Sequence, residues 1–206
     1  MVRKSAARSG AWEWNRTAQT RRGMLDAARA VFAERGFAEA GIADVVERAG
    51  CSVGSLYHHF GGKTELYLAL WEDHHRASEE AAASGVAEAR QAGVTDPVEL
   101  FIAGARAYLR GSWQRRDLTR LFMDGDAPPG FELVRRTRGR EWVRQNAVLL
   151  GAEDTPLDRL TTAVLTVAIA EASREVAVCE TEAEADELID ASVALIRRLT
   201  SASPDA

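Results

Sequence analysis

Apolar residues recur along this chain with the period of a helix, interrupted by glycine, proline and small polar clusters. Met24, Ala27, Ala28, Val31 and Phe32 fall at i, i+3, i+4, i+7 and i+8. That is one stripe of a helix that begins near Thr17 and that Gly36 ends as a C′ residue. A short helix is predicted over 42–48, with Ile42, Val45, Val46 and Ala49 inward. Gly50 breaks the pattern and Ser52 supplies an N-cap. A third helix then covers 53–60, its inner face Val53, Leu56 and Phe60, and Gly61-Gly62 stops it. A long fourth helix starts at Lys63 and reaches about Gln91, with Leu66, Tyr67, Leu70 and Trp71 inward.

The rest of the chain repeats the theme. Asp96-Pro97 pairs a cap with a proline at the first helical position, opening a helix that carries Phe101, Ala105, Tyr108 and Leu109. A short segment over 118–123 leads into a loop over 124–130. A helix over 131–150 is ended by Gly151. Asp154 or Thr155, with Pro156, starts the next, which reaches Val178 with Leu160, Val164, Val167 and Ala168 inward. The last covers about 183–199, with Leu188, Ser192, Leu195, Ile196 and Leu199 along one side. No strand pattern and no repeat is found. The expected fold is all-α with about nine helices, divided into a disordered basic arm (1–16), a small head (17–65) and a larger body (66–206).

Composition narrows the setting. Hydrophobic residues make up 46% and charged residues 28% of 206 positions, ordinary for a globular protein. No apolar run is long enough to span a bilayer, and the N-terminus lacks the apolar stretch of a secretory signal. Cys51 and Cys179 lie far apart, make no disulfide framework or zinc pattern, and fit a reducing cytoplasm. The net charge of −5 is unevenly spread: residues 1–65 carry +3 and the remainder −8. A basic end on an acidic body suggests that one end alone meets phosphate.

The strongest motif is IADVVERAGCSVGSLYHHF, residues 42–60. Two short helices meet across Ala49-Gly50-Cys51, where so tight a turn needs glycine. Val45, Val46, Ala49, Leu56 and Phe60 seal the crossing. Gly54, Ser55, Tyr57 and His58 are left outside, with Val53 at the exposed start. None is acidic, and the N-terminal residues of such a helix meet base edges in a major groove. Ser52 and the free N–H groups beside it suit a phosphate, Tyr57 has a hydroxyl to donate, and Lys63 carries a charge toward the DNA backbone.

AARAVFAERGF, DVVERAG and CSVGSLYHHFGGKTEL, between Arg21 and Leu66, together resemble the N-terminal domain of the tetracycline-repressor (TetR) family. The resemblance implies a DNA-binding helix-turn-helix head and a ligand-binding, dimerising body. It would place Val53, Gly54, Ser55 and His58 on bases, Tyr57 and Lys63 on phosphate or sugar, and His59 against the DNA backbone. One departure stands out: the family's usual Thr pair before the second helix is here Ala40-Gly41. The missing hydroxyl removes a cap and a phosphate contact unless Arg21 or Arg22 supplies the latter.

The resemblance also implies a homodimer on a palindromic operator of double-stranded DNA, released by a small-molecule effector. The last two helices would form the interface, with Leu160, Val164, Val167, Ala168, Leu188, Leu195, Ile196 and Leu199 as candidates. The effector pocket would lie within the body. Its candidate aromatic walls are Trp71, Tyr108, Trp113, Phe122 and Trp142, with His75, Arg106 and Asn146 as polar anchors. A ligand that pulls on the fourth helix would move the recognition helix.

Two other readings carry less. Gly50-Cys-Ser-Val-Gly54 matches the G-x-S-x-G of serine hydrolases, but that chemistry needs a strand before Ser52 and a sheet to hold it. A helical adaptor that binds only protein would show no salt-dependent DNA retention. His58-His59 and His74-His75 are adjacent pairs that diverge around a helix, so no metal and no cofactor is expected, nor any catalysis.

Overall fold

The computed structural model describes the backbone of residues 6–123 and 126–201 and the side chains of 17–123 and 126–200. Nine helices occur among the described residues: α1 (Ala6–Glu39), α2 (Ile42–Ala49), α3 (Val53–Phe60), α4 (Lys63–Gln91), α5 (Pro97–Gln114), α6 (Arg116–Met123), α7 (Phe131–Leu150), α8 (Pro156–Val178) and α9 (Glu182–Ser201). The chain forms two compact units. One holds the residues up to Glu72 together with Asp126–Pro128; the other holds Asp73–Gly125 and the chain from Pro129 onward. The chain passes from the first to the second within α4.

The local signals explain most boundaries. Ser52 Oγ accepts from the Ser55 N–H at 3.2 Å, Asp96 from the Glu99 N–H at 2.9 Å, and Thr155 Oγ1 from the Asp158 N–H at 3.1 Å. Gly50 and Gly151 close their helices in left-handed conformations. The arm departs from expectation. Helix α1 begins at Ala6, so the backbone of residues 6–16 is helical rather than disordered, and residues 1–5 of the arm lie outside the described residues. No proline interrupts Ala6–Gly23, and alanine and arginine favour helix even without an apolar stripe. Near its other end, Gly36 (φ 73°, ψ 179°) puts a kink into α1.

In the head, Met24, Ala28, Val31 and Phe32 of α1 are buried with Val45, Val46, Leu56 and Leu66. Tyr67 closes this core edge-on to Phe32 and Phe37, ring centres 5.5 and 5.2 Å away. Two ion pairs at 2.8 Å, Arg35–Asp44 and Arg48–Glu34, fasten α1 to α2. The Ala40-Gly41 departure is answered here. Gly41 makes no side-chain cap, but its N–H donates to Asp44 Oδ2 at 3.0 Å. The cap is therefore kept from the α2 side, although no hydroxyl is restored.

In the body, Phe101, Ala105 and Leu109 of α5 pack with Leu165, Ile169 and Val176 of α8 and with Ala185, Ile189, Val193 and Ile196 of α9. This reverses the expected inner face of α8 and divides the set expected along one side of α9. Leu160, Val164 and Val167 point out, and Leu165 and Ile169 point in. In α9 the inward set is Ala185, Ile189, Val193 and Ile196, with Leu195 and Leu199 out. Both helices have apolar residues on two sides, so periodicity alone could not choose. Helices α4 and α5 cross closely: a Cβ on Gly85 would lie 2.7 Å from the Ala103 carbonyl oxygen.

Asp73 joins the start of the body to α5 through Arg115 at 2.8 Å and also pairs with Arg76 at 3.0 Å. Partial burial works against its ionisation, but the hydrogen bond and charge of Arg115, then those of Arg76, outweigh that and hold the carboxyl below its ordinary 3.8. A depressed folded value stabilises the protein above the unfolded value, and that contribution fades as pH falls through the folded value. Asp73→Asn is therefore expected to lower stability at pH 7 and to flatten the acid unfolding limb below about pH 4. Circular dichroism against pH measures both; an unaltered limb would show that the pair contributes nothing.

Candidate nucleic-acid interface and ligand cavity

The Gly50 turn (φ 61°) sets α3 across α2. Leu56 is fully buried beneath the crossing. The opposite side of α3 is open: Val53 is 48% and Tyr57 51% exposed, and Ser52, Gly54 and His58 are exposed as well. Ser55 is half-buried. Val53, expected both inward by periodicity and at the exposed start of the helix, is outward. His59 is half-buried, its ring against His58 and Phe60. A large apolar residue and a tyrosine are thus half exposed beside small polar neighbours on this side of α3.

Lys63 also has partners within the chain. Its ammonium donates to the Ala38 carbonyl at 2.9 Å and lies 4.6 Å from the centre of the Phe37 ring. It fastens the start of α4 to the end of α1, where unpaired helix carbonyls attract a cation. Arg21, a possible substitute for the lost phosphate contact, lies over the Phe60 ring at 4.9 Å. Ser52 acts as a helix cap and follows α2, so the strand that a nucleophile elbow requires is missing there.

Within the body a cavity of about 180 Å³ lies among α4, α5, α7 and α8. Of the sequence-predicted pocket residues, Tyr108, Trp142 and Asn146 line it. The Tyr108 and Trp142 rings meet edge-on, centres 4.7 Å apart. Asn146 Nδ2 donates to Thr166 Oγ1 at 3.0 Å, and Tyr108 Oη to Ser173 Oγ at 3.3 Å. Burial pushes the Tyr108 hydroxyl's pKa up, against the hydrogen bonds to Ser173 and Ser112.

The other five are not in the wall. Trp71 belongs to the head unit. His75 stands behind the wall, 5.8 Å from the Trp142 ring. Arg106 is paired with Asp190, Trp113 lies under the Arg116 guanidinium at 4.1 Å, and Phe122 is buried between His74 and Phe131. Aromatics at helical spacing became core, as most do. Sequence reasoning missed Glu79, Gln145 and Leu149, which do line the cavity. A glutamate on a long polar helix reads as solvent-facing, and only the crossing of α4 with α5 turns Glu79 inward.

The candidate interface residues on α8 and α9 divide. Leu160 is 61% and Val167 64% exposed, and Val164, Leu195 and Leu199 are also exposed. Ala168 and Leu188 are half-buried, and Leu188 packs on its own chain's core. Ile196, at 2%, belongs wholly to that core and has nothing to offer a partner. Leu157, not anticipated, extends the exposed apolar face.

An all-α chain whose first unit presents a helix-turn-helix is the architecture of TetR-like transcriptional regulators. A crystal structure of a TetR-like regulator from Rhodococcus sp. RHA1 superposes with a TM-score of 0.69 at 24% identity, covering 89% of this chain and 97% of that one. The family model for bacterial regulatory proteins of the tetR family matches residues 24–70. The transcriptional repressor AcnR of Corynebacterium efficiens is 38% identical over 79 residues, 38% of this chain and 42% of that protein. The transcriptional activator FasR of Mycolicibacterium smegmatis is 49% identical over 55 residues, 26% of this chain and 25% of that protein. The chain thus spans less than half the length of these curated relatives. Among the described residues no three His, Cys, Asp or Glu side chains converge as a metal site, and no helix is long and apolar enough to cross a membrane.

Proposed function

We propose that the protein is a DNA-binding transcriptional regulator: a homodimer that holds a palindromic operator through α3 and gives it up when a small molecule enters the body cavity. The observation that carries this reading is the exposed, acid-free outer side of α3 above a fully buried Leu56. Ser52 with the first N–H groups of α3, and Tyr57 through its hydroxyl, contact phosphate. Val53, Gly54, Ser55 and His58 meet base edges. Lys63 is spent partly on Ala38 and has two further donors for the DNA backbone. The exposed apolar residues of α8 and α9 form the seam between two copies. The cavity lies against α4, the helix within which the chain passes from body to head, so a ligand that shifts α4 biases the head. Repression is the sign we favour, from the likeness to AcnR.

The test uses substitutions on α3. Tyr57→Phe is expected to weaken specific and random duplexes alike, because a phosphate contact carries no sequence information. His58→Ala and Ser55→Ala are expected to change base preference at one position by about 1–3 kcal/mol. Fluorescence anisotropy on paired duplexes separates the two effects. Base preference untouched by both alanine variants would remove α3 from the readout. Lys63→Ala is a poorer probe, since it also loosens α4 from α1.

A further inference from the structure

The cavity wall is electrostatically one-sided. Among the described residues, Glu79 is the only formally charged side chain that lines it. The arginines on the neighbouring helix α5 and at its C-cap are committed elsewhere: Arg106 to Asp190, Arg110 to Asp186 at 3.6 Å, and Arg115, just past the helix, to Asp73. An anionic ligand would meet a like charge in the wall. Two of the hydrogen-bonding groups are already engaged within the chain. Tyr108 spends its proton on Ser173 and Asn146 spends an N–H on Thr166. The wall keeps two acceptors, the Asn146 amide oxygen and the Glu79 carboxylate, one oxygen of which lies 3.4 Å from His75 Nε2, beside the N–H donors of Trp142 and Gln145. Between them the Tyr108 and Trp142 rings form an edge-on pair, the kind of surface whose π faces attract a cation.

We propose that this cavity takes a small organic ammonium, with its charged nitrogen on Glu79 and its apolar part against Tyr108 and Trp142. The proposal rests on reading the cavity as the effector site. Size limits the scaffold. About 180 Å³ is little more than the 150 Å³ of a cavity that holds benzene and well below the range of drug-sized pockets. A single ring with a short aminoalkyl arm fits the enclosed part. Trp142 Nε1 is buried without a hydrogen-bond partner, so an acceptor on the ligand, such as a hydroxyl oxygen, would satisfy an N–H that the chain leaves unmet.

The experiment is calorimetric titration of the full chain at pH 7 with three probes of one shape: 2-phenylethylammonium, 2-phenylethanol and phenylacetate. The ammonium is expected to bind at least tenfold more tightly than phenylacetate. In Glu79→Gln, a near-isosteric change at a partly exposed position, that preference is expected to vanish while the affinity for 2-phenylethanol stays. Equal binding of the three probes, tighter binding of phenylacetate, no binding of any, or a preference that survives Glu79→Gln would each overturn the proposal. The wild-type comparison needs no variant, so a folding defect cannot rescue it. Retention of the same samples on duplex DNA separates the two levels. Retention without charge preference sinks only the ammonium; charge preference without retention sinks only the regulator.

Discussion

Val167→Glu is expected to give a folded monomer that has lost operator binding. Val167 is 64% exposed on the outer side of α8, so the charge enters no core of its own chain. In the proposed dimer it would be buried near Leu160, Val164 and the α9 leucines, without a counter-ion. Two linked heads gain about 10²–10⁴ in affinity over one, through effective concentration alone. The variant is therefore expected to lose at least about 100-fold in operator affinity while its helical circular dichroism and melting of the monomer are preserved. Sedimentation and anisotropy on the same sample read both. A variant that stays dimeric would move the interface away from α8. A monomer with full operator affinity would remove the need for two heads.

Gly36→Ala is the second large effect, and it acts on stability. Gly36 has a positive φ with ψ near 180°, a region that costs other residues about 1–3 kcal/mol. A Cβ there would also lie 2.1 Å from Asp126 Oδ2. That carboxylate accepts the Ala38 N–H through both oxygens, at 3.1 Å each, and holds the end of α1. Displacing it forfeits a charge-assisted hydrogen bond, worth about 1.5–3 kcal/mol. Gly23→Ala is the matched control. Gly23 sits mid-helix, exposed, with nothing within 4 Å of an added Cβ, and is expected to gain up to about 1 kcal/mol. Urea unfolding of the pair decides the matter. Equal midpoints would mean that neither the backbone of Gly36 nor the Asp126 clasp bears on stability.

What was legible in the sequence was local. Ser52, Asp96-Pro97 and Gly151 signal their helix ends through backbone chemistry that acts within four residues, and the starts of α3 and α5 and the end of α7 appear where those signals put them. The outer side of α3 was legible for the same reason: Leu56 and Tyr57 must diverge on a helix, and the larger apolar residue goes in. What depended on packing partners was not legible. Leu165 and Leu160 are equally apolar, and only contact with α5 decides that Leu165 is core. Glu79 joins the cavity wall, and Arg106 leaves it for Asp190, through helix crossings that no period encodes. Lys63 lies between these cases: its charge was readable, but the Ala38 carbonyl that takes it is 25 residues away.

The most direct measurement is selection of bound sequences from a randomised duplex library by the full chain, repeated at about 50 and 200 mM salt. The account predicts an inverted repeat whose half-sites are one helical turn, about 34 Å, or a multiple apart. Retention should fall steeply with salt as phosphate contacts release counterions, by about a thousandfold or more for six such contacts. No enriched repeat, with retention indifferent to salt, would contradict it.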